Sequence, residues 1–247
     1  MINAEICCGS YEDALASYKG GAKRIELNSA LYMGGLTPSL ASLQYTKANT
    51  DLKVICMIRP RGAGFCYNEI EKEIMLADAK ILMDNKSDGI SFGFLNENSE
   101  IDVEATKKMV DLVHSYNGEA VFHRAFDLTK DPYSSIETLI DLGVDRILTA
   151  GQQTKVELGI DLIKELQEKY GDKIQILPGS GITSENVEDI VKKTGVKQVH
   201  SSCKGYGTDP TTYAEKLDFA YTSDKDSQFE IVLEERVKTF VNKTNNL

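Results

Sequence analysis

The sequence predicts an α/β protein, a single-domain (β/α)8 TIM barrel that spans residues 1–247. Strand and helix patterns alternate from one end of the chain to the other, which favours parallel strands connected by helices. Eight such units fit into 247 residues, the usual size of this barrel. Polar side chains and glycines also follow many of the strands, and in a barrel the ligand binds at these carboxyl ends.

The predicted elements follow one another in regular order. Strands are predicted at short runs rich in apolar residues: 3–7, 23–28, 53–58, 88–94, 119–124, 145–149, 173–177 and 197–201. Helices are predicted at 10–19, from 37, from 68, and at 102–116, 133–142, 156–170, 183–195 and 234–242. The segment 203–229 is polar and rich in Ser, Thr, Asp and Tyr, which predicts a long irregular loop after the eighth strand.

Capping residues mark several helix starts. Ser10 suits the N-cap of the first helix, because its side chain can accept a hydrogen bond from a free backbone N–H. Thr37-Pro38 offers a cap and a first-turn proline to the second helix. Asn68 and Glu71 begin the third helix. Apolar residues then recur in it at the spacing of an amphipathic helix: Ile70, Ile74, Ala77 and Ile81.

The rival architecture is an open doubly wound sheet. Such a sheet usually has fewer strands and carries a Gly-rich dinucleotide-binding turn after the first one. Here the first strand is followed by Cys7-Cys8-Gly9-Ser10, which is not such a turn. No linker or low-complexity segment divides the chain, so the barrel remains the prediction.

The composition is that of an ordinary globular protein, with 41% hydrophobic and 27% charged residues. A net charge of −10 argues against nucleic acid or an anionic membrane as the main partner. The first residues lack a basic stretch followed by an apolar core, and no apolar run is long enough to span a bilayer. We therefore expect a cytoplasmic protein whose five cysteines are free thiols.

Polar residues collect where the predicted strands end. Segment 121–127 begins as an apolar strand and ends in His123, Arg124 and Asp127. Because barrel strands converge, residues far apart in sequence can share one site, and alternate residues of a strand point to the same side. The candidate catalytic residues are Glu26, Arg59 and His123, with Glu5 and Asp127 as further candidates.

These charged residues allow two interpretations, a buried ion network that fills the barrel or a polar ligand site. The ligand site is favoured, because an apolar filling is usually at least as stable as buried paired charges. Gly-rich turn 178–181 leads towards a predicted helix start, which suits an anion, although an ordinary tight connection has the same pattern. The candidate ligand-binding or anion-binding residues are Arg61, Gly179, Ser180, Gly181, His200 and Ser202.

Cys7 and Cys8 are candidate ligands for a soft metal ion such as Cu(I), because thiolates prefer such ions. His200 and Cys203 are expected nearby, since the eighth strand of a barrel closes against the first. No Cys-x-x-Cys or His-x-x-x-His spacing adds weight to a metal site. A serine hydrolase is disfavoured by the absence of a Gly-x-Ser-x-Gly motif.

Five segments together resemble the CutC copper homeostasis family: Arg24-Ile-Glu-Leu27, Gly34-Gly-Leu-Thr-Pro-Ser39, Met57-Ile-Arg-Pro-Arg61, Phe122-His-Arg-Ala-Phe-Asp127 and Arg146-Ile-Leu-Thr149. They occur in the same order, and the resemblance runs from residue 5 to about residue 202. It implies a cytoplasmic TIM barrel linked to copper handling, in which cysteines are proposed to bind Cu(I).

The resemblance can be followed residue by residue. Cys7 matches the family cysteine near the end of the first strand, and the Glu26, Arg59 and His123 positions are kept. The second proposed cysteine, which follows the Arg-Ile-Glu-Leu segment, is Asn28 here. The resemblance therefore implies a copper site that keeps one of its two thiols.

Two functions are predicted. The first is a cytoplasmic copper homeostasis protein of the CutC type, which binds Cu(I) through Cys7 with help from Cys8. The alternative is a TIM-barrel enzyme that acts on a small anionic or phosphorylated metabolite. In that enzyme Glu26 and His123 would transfer protons, and Arg59 would bind the charge of the substrate. The predicted partner is accordingly a copper ion or a small anionic ligand.

We also expect a homo-oligomer, most simply a symmetric homodimer, since this is the commonest closed assembly of soluble proteins. Light scattering at micromolar concentration should then give about twice the 27.3 kDa of one chain. The mass of a single chain over the whole concentration range would contradict this prediction.

Overall fold

Eight parallel strands form the barrel of the computed structural model, which describes residues 2–223 and 228–247. Their bounds are β1 (Asn3–Cys8), β2 (Arg24–Leu27), β3 (Lys53–Met57), β4 (Gly89–Phe92), β5 (Glu119–Phe122), β6 (Arg146–Thr149), β7 (Gln175–Pro178) and β8 (Gln198–Ser201). The hydrogen-bonded order is β7-β6-β5-β4-β3-β2-β1-β8. Strands β7 and β8 then meet, since a Cβ added to Gly179 would lie 3.4 Å from the Cβ of His200. The predicted TIM barrel is confirmed.

Helices cover the outside of the barrel. They are α1 (Tyr11–Lys19), α2 (Leu40–Asn49), α3 (Glu69–Asp84), α4 (Val103–Ser115), α5 (Pro132–Asp141), α6 (Ile160–Tyr170), α7 (Val187–Thr194) and α8 (Glu234–Asn245). The predicted caps are observed at Ser10, which accepts from the Asp13 N–H, and at Asn68, which forms a capping box with Glu71. No helix in the described part of the chain combines the length and apolar character that crossing a bilayer requires.

Helices α2, α6 and α7 begin later than predicted, and α6 begins at Ile160. Helix α2 begins at Leu40, because Thr37 is used elsewhere and its Oγ1 accepts a hydrogen bond from the Arg59 N–H at 3.0 Å. Helix α7 begins at Val187. Its predicted cap, Thr183, lies in a preceding turn and donates its N–H to Asn186 Oδ1 at 2.8 Å. The Gly-rich turn after β7 therefore does not lead directly into a helix.

Helix α3 is amphipathic, but its isoleucines face outwards. Ile70, Ile74 and Ile81 are 69%, 50% and 47% exposed. The buried side of the helix consists of Met75, Ala79, Leu82 and Met83. Two apolar stripes thus run along the same helix, and the spacing of the isoleucines alone identifies the wrong one as the buried side.

Two antiparallel ribbons lie in and directly after segment 203–229, which was predicted to be an irregular loop. Strand β9 (Lys204–Gly207) pairs with β12 (Phe229–Val232), and β10 (Tyr213–Ala214) pairs with β11 (Leu217–Asp218). Residues 224–227 of this segment lie outside the described residues. The Asp13 carboxylate ties the larger ribbon to the barrel, because it accepts from the N–H groups of Gly9 at 2.9 Å and Val232 at 2.7 Å.

Charged side chains fill part of the barrel interior. Glu5 is 2% exposed and contacts Arg24 at 2.6 Å, Arg146 at 3.2 Å and His200 at 3.0 Å. The fully buried Arg146 also pairs with Glu119 at 2.5 Å. Burial alone would raise the pKa of Glu5, but the charge of Arg24, the His200 hydrogen bond and the charge of Arg146 hold it well below its ordinary value. We call these five residues the ion network.

Glu5→Gln should destabilise the protein by about 3–5 kcal/mol at pH 7, because an amide leaves the half-buried Arg24 and the buried Arg146 without their shared carboxylate. The folded pKa of Glu5 is depressed. Its contribution is therefore fully present above the ordinary value of 4.5 and is lost as the pH falls through the folded pKa. Urea unfolding should show a difference in the free energy of unfolding between wild type and variant, and this difference should become smaller as the pH falls.

The matched control is Glu104→Gln, which breaks an exposed pair with Lys108 on α4. Its unfolding midpoint should stay close to that of the wild type, because exposed pairs contribute little. Equal stability of Glu5→Gln and wild type at pH 7 would contradict the role given to the ion network.

Candidate functional site

A cavity of about 220 Å³ opens at the carboxyl end of the barrel. Six polar residues in its lining are Cys7, Glu26, Asn28, Arg59, His123 and His200. They lie on β1, β2 and β8 or directly after β2, β3 and β5. Residues far apart in sequence therefore meet in one place, as the barrel prediction requires.

Three of these residues, Cys7, Glu26 and His200, form a group that we call the thiol cluster. A sulfur, a carboxylate oxygen and a ring nitrogen from the three side chains all lie within 4.8 Å of one another. The Cys7 Sγ is 3.9 Å from Glu26 Oε2. Cys7 and Glu26 are register partners on β1 and β2, so the sheet itself fixes their approach.

The surroundings of the thiol cluster keep protons on Cys7 and His200. Burial raises the pKa of Cys7 to about 11, although the His200 hydrogen bond opposes this. Burial alone would lower the pKa of His200, but its hydrogen bonds with Cys7 and Glu5 and the charge of Glu26 raise it well above its ordinary value. A metal ion bound here must therefore displace protons from the thiol and the imidazole.

Asn28 connects the thiol cluster to the rest of the cavity. It follows Glu26 by two residues, so both side chains lie on the same side of β2. Its Nδ2 donates to Glu26 Oε2 at 3.1 Å and lies 3.5 Å from Cys7 Sγ. The position that carries a second cysteine in the resembling family is thus in contact with Cys7 in this fold.

Arg59 organises two loops that border the cavity. Its Nη1 donates to the carbonyls of Met33 at 3.0 Å and Gly35 at 3.3 Å, and its Nη2 donates to the carbonyl of Ala63 at 2.6 Å. The guanidinium fork predicted to bind substrate is therefore occupied by backbone oxygens. Its Nε has no hydrogen-bond partner among the described residues, and no described carboxylate forms an ion pair with it.

His123 is held in one orientation. Its Nδ1 accepts from the Ala125 N–H at 3.1 Å, so the proton of the neutral ring lies on Nε2, which has no partner among the described residues. Phe65 packs against the ring with centroids 4.8 Å apart. Burial, together with the charge of Arg59, lowers the pKa of His123 to about 3. At neutral pH His123 is therefore a neutral hydrogen-bond donor, and the proton-transfer role predicted for it stays a prediction.

Two predicted residues of β1 lie outside the cavity lining. Glu5 belongs to the ion network, from which it contacts His200. Cys8 is fully buried on the opposite face of the strand, where its Sγ lies 3.2 Å from Ser17 Oγ of α1. Since neighbouring residues of a strand point to opposite faces, Cys8 does not reach an ion bound to Cys7. The prediction that Cys8 assists Cys7 is wrong.

Asp127 and Arg61 also lie outside the lining. Asp127 accepts from the Thr149 hydroxyl at 2.5 Å and from the Ala150 N–H at 3.0 Å, which shapes the loop after β6. Arg61 pairs with Glu71 at 2.5 Å at the start of α3. Both side chains therefore hold loops and helix ends in place around the barrel mouth.

The Gly-rich turn 179–181 is likewise absent from the lining, whereas Ser202 belongs to it. The Gly179 N–H donates to the Thr149 carbonyl at 2.9 Å, and the Ser180 carbonyl accepts from the Val156 N–H at 3.0 Å. These contacts join the turn to β6 and to the loop after it. Of the N–H groups of the turn, these contacts occupy that of Gly179, so anion binding by the turn stays a prediction.

Some lining residues were not identified from the sequence. Phe65 lies in the loop after β3, and Glu230 lies on β12, where it pairs with Lys204 at 2.5 Å. No strand periodicity locates a loop residue, and the ribbon itself was not predicted. Asn28 was recognisable, because it continues the alternation of Glu26 on β2.

The two buried histidines should hold opposite protonation states near neutral pH. With a pKa near 3, His123 should remain the neutral Nε2–H form, whereas His200 should carry both ring protons. Nitrogen-15 NMR of the ring nitrogens distinguishes these forms, and the variants His123→Asn and His114→Asn assign the signals. Protonation of His123 between about pH 5 and pH 8 would contradict the geometry described here.

The fold and the site define a class of protein, a (β/α)8 barrel with a buried thiol, carboxylate and imidazole grouped in a small cavity at its carboxyl end. The CutC family model matches residues 2–205, and the chain belongs to this family. The family resemblance seen in the sequence motifs is thereby confirmed.

Relatives from bacteria and mammals support this assignment. A CutC family protein of Treponema denticola is 45% identical over 213 residues, which cover 86% of each chain. The copper homeostasis protein cutC homolog of Mus musculus is 40% identical over 200 residues, which cover 81% of this chain and 73% of the relative. A crystal structure of a CutC protein from Streptococcus agalactiae is 35% identical, with a TM-score of 0.77 over 82% of this chain and 99% of that chain.

Proposed function

We propose that this protein acts in copper homeostasis in the cytoplasm and binds Cu(I) at Cys7 and His200. The observation that carries the proposal is the thiol cluster, whose sulfur, nitrogen and oxygen atoms lie within 4.8 Å of one another. Thiolate and imidazole are ligands that suit Cu(I), whereas a carboxylate is a harder ligand. Cys7 and His200 are therefore assigned as the ligands of the ion. Glu26 is assigned to balance the charge of the site and to accept the hydrogen bond of the thiol.

The proton balance of the cluster gives the proposed site a pH dependence. Cu(I) replaces the proton of Cys7, whose pKa is raised to about 11. Below that pH the thiol is mostly protonated, so protons compete with the ion and the apparent affinity rises with pH. Glu26 Oε2 lies 3.9 Å from the sulfur and accepts the thiol hydrogen bond that the ion would replace.

The state of the cysteines supports the proposed compartment. All five are free thiols in this fold, and four of them lie on or next to barrel strands. Free thiols persist where the surroundings are reducing, as in the cytoplasm. A reducing compartment is also where copper is handled as Cu(I), the oxidation state that a thiolate ligand prefers.

Cu(I) titration against a competing chelator, without oxygen, tests the site. Cys7→Ser should weaken binding at least about tenfold, because the thiolate ligand is lost. Asn28→Cys should tighten it at least about tenfold, because position 28 is already in contact with Cys7 and would supply a second thiolate.

Cys8→Ser is the matched control. It removes a thiol next to Cys7 in sequence that points to the other face of β1, so the Cu(I) affinity should not change. Equal affinities for wild type, Cys7→Ser and Asn28→Cys would exclude copper binding at this cluster.

A further inference from the structure

The side of the cavity away from the thiol cluster carries buried polar atoms without a hydrogen-bond partner among the described residues. Arg59, Phe65 and His123, which we call the donor wall, lie after β3 and β5, away from the thiol cluster on β8, β1 and β2. Phe65 holds the wall together, because its ring centroid is 4.8 Å from that of His123 and 4.9 Å from the guanidinium carbon of Arg59.

Three buried polar atoms at this cavity have no hydrogen-bond partner among the described residues: His123 Nε2, Arg59 Nε and Asn28 Oδ1. The exposed fractions of the three residues are 3%, 6% and 1%. Leaving buried polar atoms unpaired is costly, and such atoms in a folded protein call for a partner. All three residues line the same cavity, which indicates one ligand as their common partner.

The other contacts of each side chain determine whether its unpaired atom is a hydrogen-bond donor or acceptor. The Ala125 N–H occupies His123 Nδ1, so Nε2 is a donor. Backbone carbonyls occupy both terminal nitrogens of Arg59, so the Nε–H is the donor left over. The Nδ2 of Asn28 donates to Glu26, which leaves Oδ1 as an acceptor. The three unpaired atoms are thus two donors, one of them cationic, and one acceptor.

We propose that this cavity binds a small hydroxycarboxylate. The two carboxylate oxygens accept from His123 Nε2–H and Arg59 Nε–H, and the hydroxyl group of the ligand donates to Asn28 Oδ1. The ligand charge compensates Arg59, which has no carboxylate partner among the described residues. A volume of about 220 Å³ accommodates a molecule of a few carbon atoms.

A carboxylate fits this wall better than a phosphate ester does. Two N–H donors match two carboxylate oxygens, whereas a phosphate brings three oxygens and more charge. Barrels that bind phosphate commonly use backbone N–H groups in the loops after strands seven and eight. Here turn 179–181 lies outside the lining, and the N–H of Gly179 is already given to Thr149.

The test is calorimetric titration and thermal unfolding with matched pairs of ligands. Lactate is compared with propionate and malate with succinate, since each pair differs by one hydroxyl, and glycerol 3-phosphate represents phosphate esters. At least one hydroxy acid should bind the wild type and raise its unfolding temperature. Its partner without the hydroxyl should bind at least about tenfold more weakly, because Asn28 Oδ1 then stays unpaired.

The variant that isolates the donor wall is His123→Asn. An asparagine oxygen can still accept from the Ala125 N–H, but the Nε2–H donor is gone, so affinity should fall at least about tenfold. His114→Asn, a histidine change on α4 far from the cavity lining, should bind like the wild type. The hydroxy acids are titrated in the absence of copper and Cu(I) in the absence of any hydroxy acid, so the two proposals succeed or fail separately.

A measurement on the wild type removes any dependence on how the variants fold. Addition of the hydroxy acid should shift the nitrogen-15 resonance of His123 Nε2, because that N–H gains an acceptor. Absence of binding by every hydroxy acid, unchanged affinity in a folded His123→Asn, or preference for glycerol 3-phosphate would each overturn the proposal. An unshifted His123 resonance at saturation would overturn it as well.

Discussion

The contact between Glu5 and His200 is the interaction on which the site depends. Glu5 is buried among Arg24, Arg146 and His200, and these side chains come from four strands that are far apart in sequence. The same carboxylate therefore neutralises the barrel interior and fixes the ring of His200, whose other side meets Cys7. Burying these charges is tolerated because each has a partner, and removing one partner leaves the others unpaired.

The cavity above this network has two chemically different sides. On β8, β1 and β2 a thiol, an imidazole and a carboxylate lie within 4.8 Å of one another. After β3 and β5, a cation and a neutral imidazole lie against an aromatic ring. Asn28 contacts the first side through its amide nitrogen and leaves its oxygen free. A ligand bound on one side would therefore change the hydrogen bonding of the other through a single amide group.

Strand periodicity was sufficient to predict the barrel and to bring Cys7, Glu26 and His123 to one end of it, because every second residue of a parallel strand faces the interior. The same rule, applied strictly, excludes Cys8 from the site. The bonding of Arg59 was beyond sequence reasoning, since its partners are loop carbonyls whose positions depend on left-handed backbone at Gly34, Gly35 and Ala63. The exposed side of α3 was mistaken because both of its apolar stripes have helical spacing.

The ribbon of β9 and β12 is a unit separate from the barrel that contributes to the cavity lining. Its strands pair with each other and with no described barrel strand, and Lys204 and Glu230 from it complete the cavity lining. The family model ends at residue 205, within β9, so most of the ribbon lies outside the residues that the model matches. Grafting another chain's ribbon between Cys203 and Leu233 would alter which ligands enter without disturbing the parallel ladder.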